Sequence, residues 1–92
     1  MTRTQVLKRA ESCVCGDREE DYGSPEQSFE VIANLWTAYL NRGITPVDVA
    51  AMMALMKIGR ISTGHFKEDN WVDLAGYAAC GGEIESSAIG EA

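Results

Sequence analysis

From Val49 to Met56 the chain reads VAAMMALM, without one polar side chain, and from Trp71 to Cys80 it reads WVDLAGYAAC, where Asp73 is the only charge. Both runs lie inside segments with helical punctuation. A helix that is apolar on every side must be covered on every side. Ninety-two residues make one small domain, near the size at which a core alone gives marginal stability, and its other helices cannot cover both runs. Small residues at Ala50, Ala51, Ala54, Ala75, Gly76, Ala78 and Ala79 permit close helix approach. The two helices are therefore expected to be buried at an interface in a homo-oligomer, a dimer or higher.

The remaining punctuation is helical as well. A first helix is predicted from about Arg3 to Cys15, with Val6, Leu7, Ala10 and Val14 on one stripe and Gly16 ending it. The polar connection GDREEDYG (16–23) follows. A second helix opens at Ser24-Pro25-Glu26-Gln27, where Ser24 caps, Pro25 takes the first position and Gln27 completes a capping box. Its stripe is Phe29, Ile32, Ala33, Trp36 and Leu40. A third opens likewise at Thr45-Pro46-Val47-Asp48 and runs to about Ser62, before Gly64. A fourth takes Glu68 or Asp69 to about Glu85. No alternating strand pattern, repeat or low-complexity linker interrupts them. The expected fold is an all-α four-helix bundle forming a single domain over 1–86, with 87–92 as a frayed tail.

Composition narrows the function classes. The formal charge of −6 argues against general nucleic-acid binding, which draws its affinity from many Lys/Arg–phosphate contacts, though not against one pocket that gathers a few basic residues. There is no basic-then-apolar leader and no apolar run near ~18 residues, so a cytoplasmic protein without a membrane association is expected. Three cysteines, an odd number, read as thiols; Cys13 and Cys15 point to different sides of a helix and cannot share a zinc ion. They are expected as small, mostly buried fillers.

The pattern Pro46…ALMKIGRI…Asp69…Asp73…LAGYAA resembles the core of the MazG-like all-α nucleotide pyrophosphohydrolases over residues 45–85. The resemblance implies two helices that hold Mg²⁺ against a triphosphate, one through an E-x-x-E pair and the next through an E-x-x-D pair. Residues three or four apart share a helix face, and Mg²⁺ needs oxygen ligands around it. Here Asp73 matches the last acid and Asp69 lies one residue from the other, but Lys57 and Arg60 occupy the positions of the first acid pair. A cation cannot ligate Mg²⁺, so the acid quartet is incomplete. The blocks GDREEDYGSPEQSF, ITPVDVAAMMALMKIGRI and DNWVDLAGYAA also resemble an uncharacterised family of small bacteriophage and prophage proteins, which implies a viral setting in the host cytoplasm.

Several residues carry two readings. Lys57 and Arg60, near the end of helix three, and Asp73, a turn into helix four, meet either as a partly buried salt-bridge cluster or as a phosphate grip oriented by the carboxylate. Asp69 is a helix cap or a ligand. Arg18 and Tyr22 reach a phosphate and a base, or belong to a loop docked by ion pairs among Asp17, Glu19, Glu20 and Asp21. Glu30 leads into Asn34, Thr37 and Asn41 and reads mainly as a solvent face. Trp36 and Trp71 read mainly as core.

Three functions fit these residues. The first is a binding module for a nucleotide or nucleotide-derived phosphate, using Lys57, Arg60, Asp73, Asp69, Arg18 and Tyr22 at a pocket between protomers. It needs no cofactor and no hydrolysis, and in a phage would sequester a nucleotide signal of host defence. The second is a divergent pyrophosphohydrolase holding Mg²⁺ on Asp69, Asp73 and Glu30 or Asp48. The third is a structural or partner-binding oligomer. The missing acids weigh against the second.

Overall fold

The computed structural model describes residues 1–17 and 23–90, and every regular element among them is helical. Three of four helices start where a Ser or Thr hydroxyl accepts the backbone N–H three residues on. At α1 (Arg3–Ser12) Thr2 accepts from Gln5 at 3.2 Å while the Gln5 side chain accepts the Thr2 N–H at 2.8 Å. Ser24 caps α2 (Pro25–Leu40) by accepting from Gln27 at 3.2 Å. The Gln27 side chain does not return the bond, so the capping box expected there is half made. Thr45 and Asp48 exchange both bonds, at 3.1 and 2.9 Å, at α3 (Pro46–Thr63). Each such cap satisfies donors that the first turn leaves orphaned. The last helix, α4 (Glu68–Ala88), starts after Lys67 with no side-chain cap and runs three residues past its expected end.

Beyond α1 the chain continues as a π-helical turn, Cys13–Asp17, so Gly16 lies inside helical structure and does not end it. The turn is seated on α4: a Cβ at Gly76 would come within 3.0 Å of Val14 Cγ1. A side chain at this position would press on Val14, so glycine lets the turn lie close against α4.

α3 and α4 form an antiparallel pair whose register is set by two contacts. A Cβ at Gly81 would lie 2.9 Å from Ala50 Cβ, and Lys57 meets Asp73 further along. α1 runs beside α4, with Arg9 against Asp69 at 2.8 Å. α2 folds back onto α3 through a connection held by Thr37, whose hydroxyl accepts the Ile44 N–H at 2.9 Å and donates to its carbonyl at 3.3 Å. The core is Phe29, Ala33, Val49, Ala50 and Cys80, with Val14, Ile32, Trp36, Met53, Tyr77 and Ile84 packed against it.

Four expected core or filler positions are instead open. Leu7 is 64% exposed, Leu40 51% and Trp71 46%, and Cys15 is exposed while Cys13 is half-buried. Trp71 lies on the side of α4 turned away from α1, α2 and α3. Cys80 alone of the thiols is buried.

Gly81→Ala tests the close approach of α3 and α4. Alanine favours an isolated helix by about 1 kcal/mol, but overpacking a tight contact typically costs ~1–3 kcal/mol. A net loss of up to about 2 kcal/mol in urea denaturation is expected; a gain would mean the helices separate without penalty.

Candidate functional site

The polar centre of the molecule is one ion pair. Lys57 Nζ lies 2.8 Å from Asp73 Oδ2, with the lysine side chain 10% exposed and the aspartate 27%. Lys57 stands seven residues after Ala50, so it shares the face of α3 that packs on α4. Asp73, Tyr77 and Cys80 follow the i, i+4, i+7 spacing and share the face of α4 turned toward α2. The pair is thus one member of the salt-bridge cluster expected from the sequence. Arg60 is not part of it: its side chain is exposed and pairs with no described residue.

Asp73 also borders a cavity of about 200 Å³. The π-turn and the start of α2 form its roof, Met53 and α4 its floor. Its lining is mainly apolar, with Phe29, Ile32 and Val72 beside Tyr77, and its polar groups are the Asp73 carboxylate, the Ser28 and Tyr77 hydroxyls and the thiols of Cys13 and Cys80. Phe29 and Tyr77 approach with ring centroids 6.3 Å apart and planes tilted by 36°, a separation at which aromatic pairs attract. Lys57 takes Asp73 Oδ2, and no described residue donates to Oδ1. The cavity is lined by residues of a single chain.

The other candidate residues are dispersed. Asp69 is not a cap; it lies in the first turn of α4 and accepts from Arg9, which also lies 3.5 Å from Glu68. Asp48 is turned back onto the Thr45 N–H. Glu30 is exposed on α2, as are Asn34 and Asn41, but Thr37 is half-buried in the α2–α3 connection. Asp69, Asp73, Glu30 and Asp48, the acids of the hydrolase reading, therefore occupy three helices, and three of them are engaged with other groups. Among the described residues no three His, Cys, Asp or Glu side chains gather as they would around a cation. Arg18 and Tyr22 lie outside the described residues. Trp36 packs against the core. Among the described residues no helix is long and apolar enough to cross a membrane.

Sequence reasoning missed Arg9, Phe29, Tyr77 and Ser28 as parts of sites. Arg9 meets Asp69 across sixty residues, a distance that no local pattern encodes. The Asp73–Tyr77–Cys80 spacing does place one carboxylate on an otherwise apolar face, and this was the available signal for the cavity wall.

A double-mutant cycle measures the pair. Asp73→Leu leaves the Lys57 ammonium without its partner. A fully buried case costs ~3–5 kcal/mol, and the partial exposure of Asp73 reduces the expected loss to roughly 2 kcal/mol. Lys57→Met with Asp73→Leu, which removes both charges, should recover most of it. Additive losses in the cycle would show that the two groups do not interact.

Comparison with known proteins places the chain. The profile of the family described as a domain of unknown function (DUF6378) matches residues 5–85. The Gene 55 protein of Mycobacterium phage D29 is 40% identical over 75 residues, covering 82% of this chain and 50% of that protein. The Gene 55 protein of Mycobacterium phage L5 is 47% identical over 75 residues, covering 79% of this chain and 47% of that protein. The chain thus spans about half the length of the curated relatives it matches. No solved structure matches it. With the profile running from α1 to Glu85 near the end of α4, the chain belongs to the DUF6378 family, whose curated relatives here are phage proteins.

Proposed function

We propose that the chain is a phage binding module that takes the base of a nucleotide-type ligand into the cavity beside Lys57 and Asp73 and does not hydrolyse it. The observation that carries this reading is an apolar, aromatic-walled cavity with a single carboxylate in its wall and a lysine committed to that carboxylate. Pockets for whole small ligands enclose ~300–1,000 Å³, so a cavity of about 200 Å³ takes a base and leaves the phosphates outside. A base stacks on aromatic rings for roughly 1–3 kcal/mol. Its amino group finds an acceptor in Asp73 Oδ1, while a phosphate against the same carboxylate would be repelled. The phosphates then fall to Arg60, exposed on α3, and to Arg18, which precedes in sequence the cavity-lining Gly23. Sequestration of a host nucleotide signal follows from binding without turnover in a phage.

The resemblance to the MazG-like hydrolases supports the choice of ligand class and not the reaction. Lys57 stands where a metal-binding acid is needed, and its ammonium supplies the positive charge facing Asp73.

Calorimetric titration with nucleosides, nucleoside mono-, di- and triphosphates and cyclic nucleotides, with and without Mg²⁺, tests the reading. Binding is expected without Mg²⁺, and pyrophosphate release from triphosphates is expected to stay at background. Arg60→Ala should weaken phosphorylated ligands by about tenfold or more, the loss of a hydrogen bond to a charged group, yet leave nucleosides unaffected. Because Arg60 is exposed, stability should change by under about 0.5 kcal/mol. Arg60→Lys should restore the charge but not the two-pronged grip. Absence of binding across the whole panel would sink the proposal, and turnover abolished by Asp73→Asn would promote the hydrolase.

A further inference from the structure

We propose that the bare outer side of the α3–α4 pair is a docking surface for a second copy of this chain, related by a two-fold axis. On α3 the inward residues are Val49, Ala50, Met53 and Lys57, and the opposite side presents Ala51, Met52, Leu55, Ile58 and Gly59. Leu55 is 63% exposed, more than a core-type residue on a covered helix would be. On α4 the inward residues are Val72, Asp73, Gly76 and Cys80, and the opposite side presents Trp71, Ala78 and Gly82, with Ala75 half-buried between them. The stretch 51–59 has one charge, Lys57, and it is turned inward onto Asp73. The chain carries a net charge of −6, yet between 51 and 59 on α3 and between 71 and 82 on α4 this side presents none of it; the exposed acids Asp48 and Glu85 lie at its two rims.

The glycines give an independent indication. Gly76 and Gly81 are explained inside the protomer, since a Cβ at either would press on Val14 or Ala50. Gly59 and Gly82 are not: nothing lies within 4 Å of a Cβ built at either. Both interrupt the interior of a helix, which a glycine weakens, and both lie on the outer side. A close approach from outside the protomer accounts for them.

The face fits a second copy in size and shape. Eighteen residues of α3 extend roughly 27 Å, and two helices packed ~8–10 Å apart present a width of roughly 20 Å. That is on the order of 500 Å² in projection, and side-chain corrugation brings it near the ~800 Å² per partner of a standard interface. The bulky residues of α3 form a ridge next to a shallow groove of small residues on α4. A two-fold axis sets the ridge of each chain into the groove of its partner, so one face supplies both halves of the fit.

Light scattering and sedimentation over a concentration series test this on the whole chain, with Ala78→Leu and Leu55→Glu as variants. Both substitutions are at exposed helical positions, and circular dichroism should show the helices retained. Wild type should have twice, or a larger even multiple of, the 10.0 kDa chain mass. Leu55→Glu should lower it by charging the ridge. Ala78→Leu makes the face more apolar but fills the groove, so it should weaken association by about tenfold or more. A merely sticky surface would respond to Ala78→Leu by associating equally or more tightly, and that result would overturn the proposal. So would a monomeric wild type, which would assign the face to a different partner. Neither outcome depends on nucleotide binding, so this inference stands or fails separately from the proposed function.

Discussion

The distance between α3 and α4 governs the rest of the structure. Ala50 and Gly81 meet with no room for a methyl group between them, and this close approach fixes both the register and the rotation of each helix. Lys57 is consequently laid along the seam with its side chain 10% exposed. In a wider pair the same residues would be hydrated, and an exposed ion pair contributes ~0–1 kcal/mol. Here the ammonium has little water left, and it depends on Asp73. The same rotation points Tyr77 at Phe29 and leaves the cavity between α4 and the roof formed by the π-turn and α2.

What the sequence made legible was local. Ser24 with Pro25 and Thr45 with Pro46 and Asp48 set two helix starts, because the donors and acceptors involved are three residues apart and need no tertiary partner. The all-round apolar character of 49–56 was equally plain, and its outer side is exposed in the protomer. What stayed hidden was tertiary. α4 begins without a side-chain cap, and Asp69, next to its start, is taken by Arg9. Val14 of the π-turn settles against Gly76 of α4, a contact between two segments far apart in the sequence. The cavity is assembled from the π-turn and three helices, each contributing residues that read individually as core.

The charge pattern that resembles a metal-dependent hydrolase takes on a different physical meaning in this packing. Two helices that hold a divalent cation between them need carboxylates on both, and the cation neutralises their repulsion. With Lys57 opposite Asp73, the neutralising charge is covalently part of α3. The helices can then close directly on one another without a metal ion between them. Arg60, one turn further on, is left out of this arrangement and is exposed. On the proposed reading it is then the residue that meets a ligand phosphate, and Lys57 and Arg60 divide the two roles that the sequence pattern assigned to them jointly.

The cavity and the bare outer face are built on opposite sides of the same two helices. Met53 lines the cavity while Leu55 points outward, and on α4 Tyr77 lines it while Ala78 points outward. A ligand could affect self-association only by turning or shifting one helix against the other, because coupling requires a differential contact in two arrangements. The Ala50–Gly81 contact blocks further approach, and the Lys57–Asp73 pair resists rotation and sliding. On the two proposed readings, a helix pair pinned at both points offers no second arrangement for a ligand to select, and filling the cavity is then expected to leave association at the outer face unchanged.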